Sequence, residues 1–301
     1  MKVLSFGSLN IDYTYDVPHM VKKGETLSSR GLQVFTGGKG LNQSIALSKA
    51  GAEVYHAGAI GEDGLFLLEA MKEAGVNTEF VEIRNDVRTG NAIIQNDDEG
   101  DNCILLYGGA NQAITEEHVD RVMENFEEGD YLVLQNEINN IPYIMERAHA
   151  KGLKIVLNPS PMNEKILALP LDIVDIFLVN EIEAGQILGE AVDAKKDADS
   201  AIAKLRARFP KATVVMTLGS DGSVYSDAEN TYRQKAYKVT AVDTTAAGDT
   251  FSGYLISGLL KKMPIPEALD LGARASAIAV SKKGAAPSIP YLEEVKKKKF
   301  D

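Results

Sequence analysis

Cysteine is almost missing from this chain: Cys103 stands alone, beside four scattered histidines. A lone thiol excludes an intrachain disulfide and any cysteine-cluster metal site, and this usage points to a reducing cytoplasm. No run of eighteen apolar residues occurs, so no segment is long enough to span a bilayer and none resembles a secretory core. Basic charge is also scarce: 32 Lys and Arg face 43 Asp and Glu, a formal charge of −11. Nucleic-acid binding calls for a basic stripe, and the single basic cluster, Lys296 to Lys299, is explained by a solvated helix face. Internal repeats and low-complexity linkers are absent too. What remains is a chain of 301 residues, 45% hydrophobic and 25% charged, which can bury a substantial core.

The organising stretch is Val242-Asp243-Thr244-Thr245-Ala246-Ala247-Gly248-Asp249-Thr250-Phe251. Tyr237, Val239 and Ala241 precede it with the period of a strand, and Phe251, Tyr254, Leu255 and Leu259 follow at helical spacing. A strand is therefore expected to enter a helix through a turn of small residues. Such a turn leaves the amides of Ala246, Ala247, Gly248 and Asp249 free at a helix N-terminus, where open donors and the helix dipole favour an anion. A carboxylate facing a bound phosphate would only repel it. Asp249 makes better sense as a base that takes a proton from an attacking hydroxyl while the amides hold the transferred charge. The plainer alternative is a helix-start acid interacting with the dipole.

Upstream, Val3 to Gly7 suits a buried first strand that delivers Asn10 and Asp12 to its carboxyl end, where open α/β sheets bind ligands. These two could take sugar hydroxyls or simply form a turn. Thr36-Gly37-Gly38-Lys39-Gly40-Leu41-Asn42-Gln43 is a second glycine-rich turn opening a helix that Gly51 stops. Its glycines allow close backbone approach to a ligand, flanked by Lys39 and Asn42. It is neither a Walker turn, since Gly40 follows Lys39, nor a G-x-G-x-x-G, since Gln43 takes the last position, which disfavours a nicotinamide dehydrogenase. Between Thr89 and Tyr107 the period switches to two around Asn96 to Asp101, a hairpin. With short strands near Asp12 and Thr26 to Phe35 it would form a separate small sheet, a water-excluding lid inserted within about 12–36 and 89–108, with one face free for a dimer. Beyond it strands and helices alternate, as in a parallel sheet with helices on both faces. Successive strands end at Asn136 and Glu137, at Asn158, at Asn180 and Glu183, and at Thr217 to Gly222, which suggests one shared crevice.

The two signatures together, Gly37 to Gln43 and Asp243 to Asp249, resemble those of the ribokinase-like (pfkB) carbohydrate kinases, and the likeness extends along essentially the whole chain. The resemblance implies a three-layer α/β sandwich with a mostly parallel central sheet and a small β-sheet lid, forming a single domain over 1–301. It implies transfer of phosphate from ATP to the primary hydroxyl of a furanose, ribose first, with other sugars or a nucleoside as alternatives. A non-catalytic sugar sensor is disfavoured by Asp249. By the same resemblance Asn10, Asp12, Gly38, Lys39, Asn42 and Glu137 hold the sugar and Asp249 is the base. Asn180, Thr217, Gly219, Gly222, Ala246, Ala247 and Gly248 line ATP and the anion hole. Glu183 organises Mg²⁺ through water, and Asp243, Thr245, Ala279, Lys282, Gly284 and Ser288 form a loop for a monovalent cation, K⁺. A homodimer through the lid sheet is implied as well. Two departures from the family pattern stand out: Leu41 in place of the usual alanine, expected to alter pocket volume, and Ala273 in place of a polar residue near the adenine.

Overall fold

The computed structural model describes residues 1–194 and 196–300. Its first half runs β1 (Val3–Phe6), β2 (Asn10–Asp16), β3 (Gly31–Gly37), α1 (Lys39–Lys49), β4 (Val54–Gly61), α2 (Leu65–Glu73), β5 (Asn77–Arg84), β6 (Gly90–Asn96) and β7 (Asn102–Tyr107). Regular alternation follows with α3 (Glu116–Met123), β8 (Tyr131–Gln135), α4 (Ile141–Ala150), β9 (Lys154–Asn158), β10 (Ile176–Asn180), α5 (Glu181–Leu188), α6 (Ala198–Arg208) and β11 (Thr213–Thr217). The chain then passes through β12 (Ser223–Ser226), β13 (Thr231–Gln234), α7 (Ala247–Leu260), α8 (Ile265–Val280) and α9 (Leu292–Lys297).

The strands form two sheets. The larger has the order β13-β12-β11-β10-β9-β8-β1-β4-β5, parallel except for β12 and β13 at one edge. Its central strands β1 and β8 are buried along their whole length, because helices cover both faces and leave no side for polar residues. One face packs Phe6, Leu134 and Phe177 under α3 to α6. The other packs Val3, Ile45, Tyr254 and Ile278 under α1, α7 and α8. From β1 the chain moves to β4 and β5 on one side, then returns to build β8 to β11 on the other. The order therefore reverses between β1 and β8, and the crevice beyond their carboxyl ends is where such sheets bind ligands.

The smaller sheet has the order β3-β2-β6-β7, in which β2 and β6 run parallel and the outer pairs antiparallel. Cross-strand register puts Asp12, Ala92 and Leu106 on one face, with Ile94 and Ile104 one pair along. Tyr13, Val34, Ile93 and Leu105 share the opposite face.

Three expectations need correction. The small sheet begins at Asn10, so Asn10 and Asp12 lie on one of its strands and not on a turn closing β1. No strand forms over 237–242; this segment has no ladder partner, and Val242 N–H bonds the Val280 carbonyl at the end of α8 (2.8 Å). Leu41, on α1, is fully buried in the core and does not line the crevice beyond the strand ends.

Candidate active site

The start of α1 is shaped by contacts within the protein. Gly38 adopts φ +94°, a conformation that admits glycine readily. A Cβ on Gly37 would stand 2.1 Å from Asp12 Oδ2, and one on Gly40 would stand 2.4 Å from Ser8 N. Gly37 and Gly40 thus make room for the Asp12 carboxylate and for the β1–β2 junction. The first helical amides find partners there too: Lys39 N–H donates to Glu137 Oε2 (2.9 Å), Gly40 N–H to Ser8 Oγ (3.2 Å) and Leu41 N–H to the Ser8 carbonyl (2.9 Å). Ser8 Oγ in turn donates to Glu137.

The start of α7 is open by contrast. Ala246 is left-handed at φ 61° and turns the chain into the helix. Ala247 N–H reaches only the Thr244 carbonyl at 3.2 Å, and the amides of Gly248 and Asp249 have no acceptor among the described residues. A Cβ on Gly248 would meet nothing within 4 Å. The two helix starts lie side by side because α1 and α7 pack very closely: a Cβ on Gly253 would fall 2.4 Å from Ala46 Cβ. That approach brings Asn42 and Gln43 to Asp249, with Asn42 Nδ2 donating to Asp249 Oδ2 (3.2 Å) and Gln43 Nε2 to Asp249 Oδ1 (2.9 Å). Gln135 Nε2 secures Gln43 Oε1 from below (2.7 Å). Asn42 Oδ1 is buried without a partner among the described residues.

A cleft of about 440 Å³ lies between the small sheet and the strand ends, and Asn10, Asp12, Gly38, Lys39, Asn42, Glu137, Asn180, Glu183 and Ala246 to Asp249 all line it. A second, more apolar slot of about 370 Å³ is lined by Gly219, Gly222, Val239, Phe251, Ala273 and Ser276, among others. The two share Thr217, Thr244, Ala247, Gly248 and Phe251, so the open Gly248 amide stands at their junction. Ala273 is among the residues that line the slot.

Charge in the cleft is concentrated. Burial, reinforced by Glu137, pushes the Asp12 carboxyl from its ordinary 3.8 up to about 7. Burial also raises Glu137, although the Ser8 hydroxyl and Lys39 offset part of the effect. For Lys39 burial acts against the ammonium, yet Asp249, Glu137 and Glu183 outweigh it and hold its pKa above that of an ordinary lysine. Asn180 and Glu183 form a reciprocal cap on α5: Asn180 Oδ1 accepts from Glu183 N–H (2.8 Å) and Glu183 Oε2 from Asn180 N–H (2.9 Å). One Glu183 oxygen is left for the cleft.

The remaining expected residues lie just behind α7. Asp243 bonds Thr245 N–H and Gly284 N–H, each at 2.9 Å, which ties the loop before α7 to the loop after α8. Burial works against this carboxylate, but those hydrogen bonds prevail and hold its pKa below the usual range. Lys282 N–H caps the Ala279 carbonyl (3.0 Å) and Ser288 Oγ the Ala285 carbonyl (2.8 Å). The Lys282 ammonium turns away to Glu294 on α9 (2.8 Å).

Sequence reading did not single out Ser8, Gln43, Asn111 or Gln135 for the site. The available signal was the placement of amides on otherwise apolar elements: Gln43 and Gln135 are buried at 1% exposure, where a polar side chain needs a partner.

The pfkB family carbohydrate kinase model matches residues 1–292. The chain is 38% identical over 307 residues to a ribokinase of Staphylococcus aureus (strain COL), with 98% of each chain covered. It superposes with a TM-score of 0.87 and 33% identity on ribokinase from Cryptococcus neoformans var. grubii serotype A in complex with ADP, covering 98% of this chain and 99% of that one. Arabidopsis thaliana ribokinase complexed with ribose and ATP gives 0.86 at 28% identity, covering 98% and 97%. Two helix starts, one carboxylate between them and a near full-length family match lead to one conclusion: the chain belongs to the pfkB family of carbohydrate kinases.

Proposed function

We propose that the chain phosphorylates the primary hydroxyl of D-ribose with ATP, giving ribose 5-phosphate. The observation that carries this reading is the Asp249 carboxylate, fixed by Asn42 and Gln43 beside the Gly248 and Asp249 amides, which no described residue satisfies. In this reading Asn10, Asp12, Gly38, Lys39, Asn42 and Glu137 hold the sugar in the cleft, and the more apolar slot with Thr217, Gly219 and Gly222, together with Asn180 of the cleft, takes the nucleotide. Asp249 accepts the proton of the hydroxyl, whose oxygen attacks the γ-phosphorus in line. The phosphoryl oxygens collect their charge on the amides of Gly248 and Asp249. Lys39 supplies a neighbouring cation. Positioning does most of the work, since both reactants are held before the barrier is met.

The described residues include no cluster of three or more His, Cys, Asp or Glu able to cage a metal. Mg²⁺ would accordingly come with the phosphates, met through water by the free oxygen of Glu183, and it would neutralise charge on them. K⁺ would sit in the loop of Asp243, Thr245, Ala279, Lys282, Gly284 and Ser288, chiefly on carbonyls. There it would stiffen the turn that presents the α7 amides. The exposed Leu32, Val34 and Leu105 on the outer face of the lid suit a second copy of the chain, giving a homodimer.

The test is ADP release over a panel of pentoses, hexoses and nucleosides with Mg²⁺ present, in potassium and in a large organic cation. Best turnover is expected on ribose, and faster in potassium. Turnover on a nucleoside with ribose inert would overturn the substrate, and equal rates in both salts would overturn the cation loop.

A further inference from the structure

Asn111 lies on the single helical turn that follows β7 and is 1% exposed. Its amide oxygen accepts from Leu9 N–H (3.0 Å), and its Nδ2 donates both to the Leu9 carbonyl (3.2 Å) and to Asn10 Oδ1 (2.8 Å). A side-chain amide can ordinarily be turned end for end. Here it cannot, because the polarity of the Leu9 backbone is fixed: the reverse orientation would set oxygen against the carbonyl and NH₂ against the N–H. Asn111 must therefore offer a donor to Asn10, and Asn10 must answer with its oxygen. The Asn10 Nδ2 group is left without a protein partner among the described residues, on a side chain that lines the cleft.

We infer that Asn111 is a positioning residue: it fixes the Asn10 amide so that the sugar meets an N–H donor at that point and never an acceptor. This inference rests on the proposed sugar site. It narrows what that site recognises, since the ligand atom facing Asn10 has to accept a hydrogen bond, while Asp12 two residues along offers a carboxyl group to the neighbouring hydroxyl. The same turn links the sugar-side pieces of the cleft. The Asn111 carbonyl accepts from Asn139 N–H (3.1 Å), and Gln112 Nε2 donates to the Glu137 carbonyl (2.9 Å). Space at this joint is tight: a Cβ on Gly90 would lie 2.2 Å from Asn111 Nδ2 and 2.4 Å from Asn10 Oδ1. A side chain at position 90 would therefore collide with both amides.

Asn111→Asp reverses the relay. The new carboxylate accepts from Leu9 N–H as before but has no proton for Asn10, whose amide then turns its NH₂ inward and its oxygen to the sugar. The expected result is a rise of about ten- to a hundred-fold in the sugar KM, the range typical of a site whose hydrogen-bonding group is mismatched. The kcat and the ATP KM stay within about threefold. A second variant covers the case in which this one does not fold. Asn10→Asp keeps its contact with Asn111 and presents an acceptor to the cleft, so it should raise the sugar KM similarly while retaining the wild-type melting temperature. The decisive readout is a double-mutant cycle with Asn10→Ala, in which Asn111→Asp should add nothing further to the sugar KM. Damage to the scaffold alone would add in full, and additive effects overturn the inference. So does a sugar KM within twofold of wild type in either single variant. A wild-type chain inert on every pentose instead sinks the proposed function, whatever the variants do.

Discussion

Two turns of small residues open two adjacent helices, and only one of them leaves helix-start amides open among the described residues. At α1 the amides of Lys39, Gly40 and Leu41 are already bonded to Glu137 and Ser8. At α7 the amides of Gly248 and Asp249 are bonded to nothing described. A helix N-terminus attracts an anion through its orphan donors, so a start whose donors are filled by the protein's own carboxylate and hydroxyl has little left to offer a phosphate. What α1 contributes is side chains: Asn42 and Gln43 reach across to hold the carboxylate that α7 carries. One turn has its amides filled by the protein, and the other leaves two of them open among the described residues.

The largest effect should come from attacking the open turn. Asp249→Asn keeps shape and removes basicity, and should lower kcat about 10² to 10⁴-fold, roughly 3 to 5 kcal/mol of barrier, with sugar and nucleotide affinity within a few-fold. Near-normal kcat, measured beside both affinities and the melting temperature, would break the comparison by making Asp249 a mere helix-start acid. Leu41→Ala probes the other helix. It should cost about 2 to 5 kcal/mol of stability in a denaturant titration and leave the order of sugar preference unchanged, because Leu41 packs in the core. A changed preference would return this side chain to the pocket.

Glycine replacements sharpen the contrast further. Gly40→Ala forces a methyl to 2.4 Å from Ser8 N and should destabilise the fold by about 1 to 3 kcal/mol. Gly248→Ala enters open space, so its melting temperature should hold while kcat/KM for ATP falls by about tenfold, or roughly 1.4 kcal/mol. Equal losses of stability in the two variants would erase the distinction. The smallest effect concerns pH. Asp12 rises from 3.8 unfolded to about 7 folded, so between those values the folded state binds more protons and stability falls as pH increases. In the sugar-free protein Asp12→Asn should flatten that decline between about pH 4 and 7. The slope of unfolding free energy against pH checks it, and an unchanged slope contradicts the placement of Asp12.

Local chemistry written in the sequence was enough for much of this. Apolar runs of four or five residues bounded by polar ends gave the parallel strands, and the two-residue period gave the β6–β7 hairpin. The small residues before Asp249 marked an open helix start, because that depends only on the few residues nearest it. Three things depended on distant partners. The alternation at 237–242 suited a strand, but a strand exists only where a neighbouring edge accepts its ladder, and here the chain meets the end of α8 instead. Leu41 sits inside a binding signature, yet helical rotation turns it to the core while its neighbour Asn42 faces the cleft. The filling of the α1 amides by Glu137, 98 residues away, and the seating of Asp249 on amides 206 and 207 residues away could be decided only once the sheet had brought β1 beside β8 and α1 against α7. Sequence sets which groups a turn can offer. Tertiary packing sets which of them remain free, because a hydrogen-bond donor already used inside the protein is no longer available to a ligand.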